Sequence, residues 1–301
     1  MALGRQGVVA AYIVHGKENA LIDMGYASSA AIVLADIKES GVERDCIDYL
    51  LPTHVHLDHA GAGGEIAKNF DGASILVHPK GEPHLVDPSQ LWEGAGRLFG
   101  AKLMKLYGRP RPIGRHRVRA IGDGEEISLG SGLTLRSIWT PGHASHHLSY
   151  ELEGRGTVFT GDAVGIRYPA FPALIPTTPP PSFNLEAAIA SLQRIKQLSP
   201  KLLATPHYGV IHDAATSIDA NIRSLQNWTA TVDRMLRDGL STSSVISTLT
   251  EAIAGEVVRS NGSLPDYLRV SVRVSVLGVL RYLGSSDRGS APGYSPSAFH
   301  T

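Results

Sequence analysis

"LPTHVHLDHAGAGG", residues 51–64, places three histidines and an aspartate (His54, His56, Asp58 and His59) within six positions. An apolar run precedes the cluster and a glycine-rich stretch follows it. Residues two apart on an extended chain project to the same side, so His54 and His56 can reach one ion together. The chain must then turn, as the glycines permit, carrying Asp58 and His59 toward a second position close by. Four side chains from one short segment cannot complete two coordination spheres, because a catalytic zinc-like site takes three protein ligands and an open position for water. The remaining ligands are expected at the ends of other strands.

Three residues meet that condition. His143 lies in "WTPGHASHH" (139–147), directly after the strand-like "LTLRSIW"; Asp162 lies in "VFTGD" (158–162); His207 lies in "LLATPHYG" (202–209). Each is a metal-capable side chain after an apolar run and beside proline or glycine. End loops on a rigid sheet are a good way to preorganise such a site. The assembled set, five histidines and two aspartates, divides into two sites sharing one carboxylate.

The surrounding sequence reads as a layered α/β chain. "VVAAYIV" (8–14) and "ALIDMG" (20–25) form an expected hairpin, followed by a helix over 28–41, a strand in "IDYLLPT" (47–53), a helix over 63–70 and a strand in "SILVH" (74–78). Residues 88–108 are expected to be helical, within an insertion over one face at about 85–120. "RVRAI" (117–121), "LTLRSIWT" (133–140), "HLSYELE" (147–153) and "TVFTGD" (157–162) return to strands, dense enough for two hairpin-rich sheets in place of one doubly wound parallel sheet. Six prolines in the sixteen residues 168–183 dictate an irregular connection. A helix over 184–198 and a strand entering a loop at 201–209 follow.

From Ala214 the pattern is helical, over 217–239 and 242–258. In 267–283, Val270, Val272, Val274 and Val276 alternate like a strand, but the length and flanking leucines favour a helix. The expected organisation is a catalytic domain over 1–212, a helical region packed on it over 213–285, and a tail over 286–301 with the composition of a disordered end.

The chain has 301 residues, 43% of them apolar and 19% charged, with Lys+Arg and Asp+Glu both totalling 28. This composition is that of a globular protein with a substantial core, and no net field attracts nucleic acid or an anionic membrane. The single cysteine, Cys46, cannot form an internal disulfide. The N-terminal apolar run is too short to span a bilayer and no signal-peptide pattern follows it, so the chain reads as cytoplasmic.

"THVHLDH", "TPGHASHH", "FTGD" and "TPHYG", in that order, resemble the metallo-β-lactamase-fold hydrolase superfamily, most closely its glyoxalase II-like and lactonase-like branches. The resemblance covers roughly the first 212 residues. It implies an αββα four-layer sandwich with the site at one edge. It further implies that His54, His56 and His143 hold one metal, that Asp58, His59 and His207 hold a second, and that Asp162 bridges them. "AYIVHGKENALIDMG" looks like the family's opening hairpin, whose aspartate, here Asp23, would support the metal loop from behind. Family members usually carry another strand before this hairpin, so the first sheet is expected to be one strand short or the N-terminus trimmed.

The implied cofactors are two divalent ions, zinc first, with iron or manganese as alternatives for the same nitrogen and oxygen ligands. A bridging hydroxide would attack an ester, thioester or lactone carbonyl, with Asp58 orienting the water or accepting its proton. The expected partner is a small-molecule substrate, with no nucleic acid or membrane. Tyr208 and Tyr168 are candidates for a substrate contact, against the ordinary reading that they pack. His147 falls where glyoxalase II-like chains carry a further histidine, but a supporting role is expected for it and for His146. His78 and His84 read as loop residues, His84 with a place on the pocket wall as its alternative.

Arg109–Arg119 holds five arginines and no acid and is expected to be a solvated loop, with anion binding as the alternative. The lactonase branch has a tyrosine where this chain has Gly165, and the basic and tyrosine residues that bind glutathione in the glyoxalase II branch have no match here. Three other activities remain open. One is a persulfide dioxygenase using one iron held by two histidines and an aspartate. Another is a nuclease of the tRNA-maturing kind, disfavoured by the neutral charge. The third is a binding module retaining the fold, disfavoured because every ligand position is filled.

Overall fold

The computed structural model describes residues 7–41, 47–169, 171, 174–259 and 262–285. Its first sheet has the order β1 (Tyr12–Val14), β2 (Ala20–Ile22), β3 (Tyr49–Leu51), β4 (Ser74–Val77) and β5 (Val118–Ala120). Only the β1–β2 hairpin is antiparallel; Leu21 pairs with Leu50, and Leu50 with Ile75, in parallel register. Hairpin-rich sheets were expected, and this one departs from that because α1 (Ala30–Glu39), α2 (Leu57–Ala60) and α3 (Gly63–Ala67) serve as crossovers between parallel strands. Within the 85–120 segment, α4 (Glu82–Val86) and α5 (Ser89–Tyr107) are helical. The backbone of α5 breaks at Gly100, whose φ of 75° no helix tolerates, and the segment ends as β5.

The second sheet carries β6 (Glu126–Ser128), β7 (Thr134–Trp139), β8 (Leu148–Leu152), β9 (Thr157–Phe159), β10 (Leu202–Thr205) and β11 (Gly209–Ile211) in the spatial order β11-β10-β9-β8-β7-β6. Its pairings are antiparallel except β9–β10, which α6 (Leu185–Gln197) connects as a crossover. The Asn184 side chain starts α6 by accepting the Ala187 amide at 2.8 Å.

Strand alternation builds the layers. Ala20, Ile22, Leu51 and Leu76 share one buried core with Leu135, Leu148, Tyr150, Phe159 and Ala204 of the opposite sheet. Their neighbours Leu21, Leu50, Ile75 and Val77 face the other way, onto Ile37, Ile66 and Ala67 of the helices. In the second sheet Val158 and Leu203 turn outward and join a core built with α6, α7 (Ala214–Arg237), α8 (Thr242–Arg259) and α9 (Asp266–Ser285). The fold is the four-layer αββα sandwich, mixed α/β, with a helical C-terminal region. The valine alternation of 267–283 belongs to a helix, in which Leu268, Val272, Val276 and Val279 are buried at three- and four-residue spacing.

Among the described residues no strand precedes β1, and no helix is long and apolar enough to cross a membrane. Residues 1–6, Cys46 and the tail 286–301 lie outside the described residues.

Helix α9 approaches the irregular segment closely. A methyl group on Gly278 would run into the carbonyl oxygen of Thr178, whose hydroxyl donates to Ser275 O at 2.8 Å. Gly278→Ala is expected to lower stability by about 1–3 kcal/mol, the usual cost of forcing atoms into a packed contact. Urea denaturation checks this, and an unchanged midpoint would mean that α9 is not seated there.

Candidate metal centre

Four strands deliver the site from their C-terminal ends. β3 ends at Leu51 and leads into His54–His59; β7 ends at Trp139, ahead of His143; β9 ends at Phe159, ahead of Asp162; β10 ends at Thr205, ahead of His207. All seven side chains converge. His54 Nε2 and His143 Nε2 lie 2.8 and 3.0 Å from His56 Nδ1, forming one triad. The other contains Asp58, His59 and His207, with Asp58 Oδ2 at 3.7 Å from His59 Nε2 and 3.9 Å from His207 Nε2.

Asp162 stands between the triads. Its Oδ2 is 3.4 Å from His143 Nε2, and its Oδ1 is 3.4 Å from His59 Nε2 and 3.2 Å from His207 Nε2. A tetrahedral ion with bonds of about 2.0–2.1 Å spaces its ligands roughly 3.3 Å apart, and the separations of 2.8 and 3.0 Å in one triad and 3.7 and 3.9 Å in the other bracket that spacing. His59 Nε2 and Asp162 Oδ1 are buried without a hydrogen-bond partner. Orphaned lone pairs aimed into a common space fit a divalent cation, and imidazole and carboxylate suit zinc, iron or manganese.

The outward ring nitrogens are tied down, which fixes the inward ones as lone pairs. His143 Nδ1 donates to Thr177 O at 3.0 Å, and His207 Nδ1 donates to Val8 O. His59 Nδ1 donates to Asp23 Oδ2 at 3.0 Å. Asp23 also accepts the Thr53 amide at 2.8 Å and its hydroxyl at 3.0 Å, and that hydroxyl meets His54 Nδ1 at 3.1 Å. Asp23 thus holds the metal loop from behind, at a left-handed φ of 56°.

Burial and mutual crowding hold His54 and His56 well below the usual imidazole range, and burial also lowers His143. Burial alone would lower His59, but the carboxylates of Asp23, Asp58 and Asp162 outweigh it and raise it to about 10. Asp162, despite burial, is held well below the carboxylate range by His59, His143 and His207. His207 is raised because Asp162 and Asp58 outweigh its burial. One half of the centre is therefore a set of neutral imidazoles, and the other pairs carboxylates with imidazoles whose protons they hold. The centre opens to solvent at half-buried His56 and at Asp58, whose side chain is 25% exposed.

The remaining histidines take separate places. His147, fully buried, accepts the Asp162 amide on Nε2 at 3.0 Å and meets Thr140 Oγ1 through Nδ1, so it orients the bridging residue. His146 lies 5.9 Å from His56 ring to ring, its Nδ1 buried and unpartnered, and burial lowers it to about 3. His84 faces His146 at 6.4 Å, and His78 stacks on Trp139.

Tyr208 packs edge-on against Tyr168 with its hydroxyl buried and unpartnered, while the Tyr168 hydroxyl donates to Ser263 O. The arginine run has local partners. Arg111 pairs with Glu65 and Arg115 with Glu82, and Arg117 donates to the Ala67 and Ala73 carbonyls. Gly165 has φ +77°, and a side chain there would press on Ile175 O, so the lactonase tyrosine has no room at this position.

Tyr26 and Tyr107, unmarked in the sequence, stack their rings at 4.4 Å with an interplanar angle of 13° inside a buried apolar cluster. They are 81 positions apart, and no spacing rule joins them.

A family model described as the metallo-beta-lactamase superfamily matches residues 3–207. The metallo-beta-lactamase fold-containing protein of Sulfurisphaera tokodaii is 30% identical over 208 residues, 68% of this chain and 74% of that protein. The atrochrysone carboxyl ACP thioesterase of Aspergillus fumigatus is 26% identical over 214 residues, 69% of this chain and 52% of its own. The crystal structure of a metallo-beta-lactamase family protein from Thermus thermophilus superposes with a TM-score of 0.69 at 23% identity, covering 97% of this chain and 95% of that one. The structural likeness thus extends past residue 207 into the C-terminal helices.

Two outcomes follow from the geometry. Asp23→Asn removes the charged acceptor behind His59 and is expected to weaken zinc binding about 10–100-fold, read by competition with a chromophoric chelator. The lowered histidines bind protons only after unfolding, so metal-free protein should lose stability as pH falls below the ordinary imidazole value of about 6.5. His59 and His207, being raised, gain stability as pH falls toward that value and offset part of the loss, but the lowered His54, His56, His143, His146 and His147 outnumber them. Urea midpoints at pH 7.5 and 5.5 test the sign; equal midpoints would contradict it.

Proposed function

This chain belongs to the metallo-β-lactamase superfamily, and from its two facing triads we propose that it is a binuclear metal-dependent hydrolase of esters, thioesters or lactones. The observation that carries the reading is Asp162, which turns one carboxylate oxygen to each triad. His54, His56 and His143 would hold one ion, Asp58, His59 and His207 the other, with Asp162 between them. Bound there, two divalent ions, zinc first, would supply Lewis acidity and a water acidic enough to ionise near neutral pH.

The chain's own residues do the remaining work. Asp58 is partly open to solvent, and its carboxylate is placed to orient an attacking water and take its proton. Thr177 O, Val8 O and Asp23 fix the imidazole tautomers, so the centre needs no rearrangement as charge develops. His147 keeps Asp162 in place through its amide. The thioesterase activity named for the Aspergillus relative supports placing thioesters on the substrate panel.

Zinc-loaded protein is expected to turn over at least one member of an ester, thioester and lactone panel, and a chelator should abolish the activity. Asp58→Asn should lower kcat on that substrate by a factor of about a hundred or more while leaving the fold intact. One iron per chain with oxygen consumption, and no hydrolysis, would replace this reading with the persulfide dioxygenase one.

A further inference from the structure

The turn that carries His207 is held from outside its own sheet. Strand β1 is the outermost strand of the first sheet and β11 that of the second, and the chain entering β1 is bonded along the turn between β10 and β11. Four hydrogen bonds join the two segments in antiparallel order. The Tyr12 hydroxyl donates to Thr205 O at 2.6 Å, and the Ala10 amide donates to Pro206 O at 2.7 Å. Val8 O accepts His207 Nδ1, and Gly7 O accepts the Tyr208 amide at 2.7 Å.

We propose that residues 7–12 form a strap that sets the affinity of the second metal site, the one built from Asp58, His59 and His207, and leaves the first site alone. The ladder acts directly on a ligand of that site, because its third rung is the bond that fixes the His207 ring. The strap also reaches the Asp58 side of the same site. Val8 is 4% exposed, and its side chain shares a buried cluster with Leu57, the residue before Asp58. The imidazoles of the first triad are tied elsewhere, His143 to Thr177 O and His54 to Thr53 Oγ1.

Backbone strain gives the strap its leverage. Tyr208 stands at a left-handed φ of 62°, which a residue with a side chain keeps only where its surroundings over-determine it. Gly7, at φ +78°, fits against it closely: a methyl group there would come within 3.1 Å of Tyr208 Cδ1. Loosening the rungs frees the turn to relax, and His207 moves with it. An imidazole that loses the carbonyl behind its outer nitrogen also loses its fixed orientation. Binding an ion must then order the ring as well, which lowers affinity.

The strap rests on the two-ion centre of the hydrolase reading, and one titration separates the two. Zinc is added to full-length, metal-free protein in competition with a chromophoric chelator, and the second site's step is the one that His207→Ala abolishes. Gly7→Val combined with Ala10→Pro disturbs the rungs on both sides of Val8 and changes no ligand. This double variant should weaken that step about 10–100-fold and leave the other within about twofold. Tyr12→Phe removes one rung while keeping the ring edge-on to Phe159, and should weaken the same step about 2–10-fold.

Unchanged second-site affinity in both variants, or an equal fall in both steps, overturns the strap while the two-ion centre stands. Two steps that both survive His207→Ala overturn it as well. If the double variant does not fold, Tyr12→Phe decides alone. A single zinc step in the unsubstituted protein overturns the binuclear reading. The strap then stands if His207→Ala abolishes that step and Tyr12→Phe weakens it, and falls otherwise.

Discussion

A carboxylate buried among three imidazoles is the feature on which the rest of the molecule depends. Asp162 is 7% exposed and lies within 3.4 Å of nitrogens from three histidines that reach it from separate loops. An unpaired charge at such a depth would cost several kcal/mol, and the imidazoles around it cannot all be protonated to compensate. His54 and His56 are driven neutral by the same burial that encloses Asp162. In the metal-free centre Asp162 is offset by His59 and His207, both raised, while His54, His56 and His143 are held as neutral lone pairs in the same buried space. Such an arrangement persists only when the scaffold over-determines it, and cations relieve it.

The scaffold does so through backbone groups. Each ligand-bearing loop begins where a buried strand ends, and the strands are locked into two sheets by a core that includes Ile22, Leu51, Leu76, Leu148 and Phe159. Carbonyls from distant segments, Thr177 in the proline-rich connection and Val8 near the N-terminus, then set the imidazoles of His143 and His207. The Thr177 loop is in turn packed under α9, where Gly278 lets the helix reach Thr178. A helix far along the chain therefore contributes to the ligand geometry, with Thr178 bonded to Ser275 through both its amide and its hydroxyl.

Much of this was legible in the residues. His54, His56, Asp58 and His59 are chemically conspicuous, and His143, Asp162 and His207 each follow an apolar strand, so type and position both marked them. Asp23 was legible as part of the opening hairpin. Other features were not, for physical reasons. Parallel and antiparallel pairing leave similar apolar runs when both faces are covered, so "SILVH" and "RVRAI" did not announce that β4 and β5 continue a parallel sheet. A supporting role was expected of His147, but that it is filled by accepting the single amide proton of Asp162 left no sign in the sequence. Tyr26 and Tyr107 meet only because α5 folds back over the loop after β2, and long-range stacking leaves no periodic trace.

The measurement that bears most directly on the account is an anomalous-diffraction map of zinc-soaked crystals recorded on both sides of the zinc edge. Two peaks per chain are expected, about 3.5–4 Å apart, one inside the His54–His56–His143 triad and one inside Asp58–His59–His207, with an Asp162 oxygen reaching each. A single peak, or two peaks of which one lies outside these triads, would contradict it.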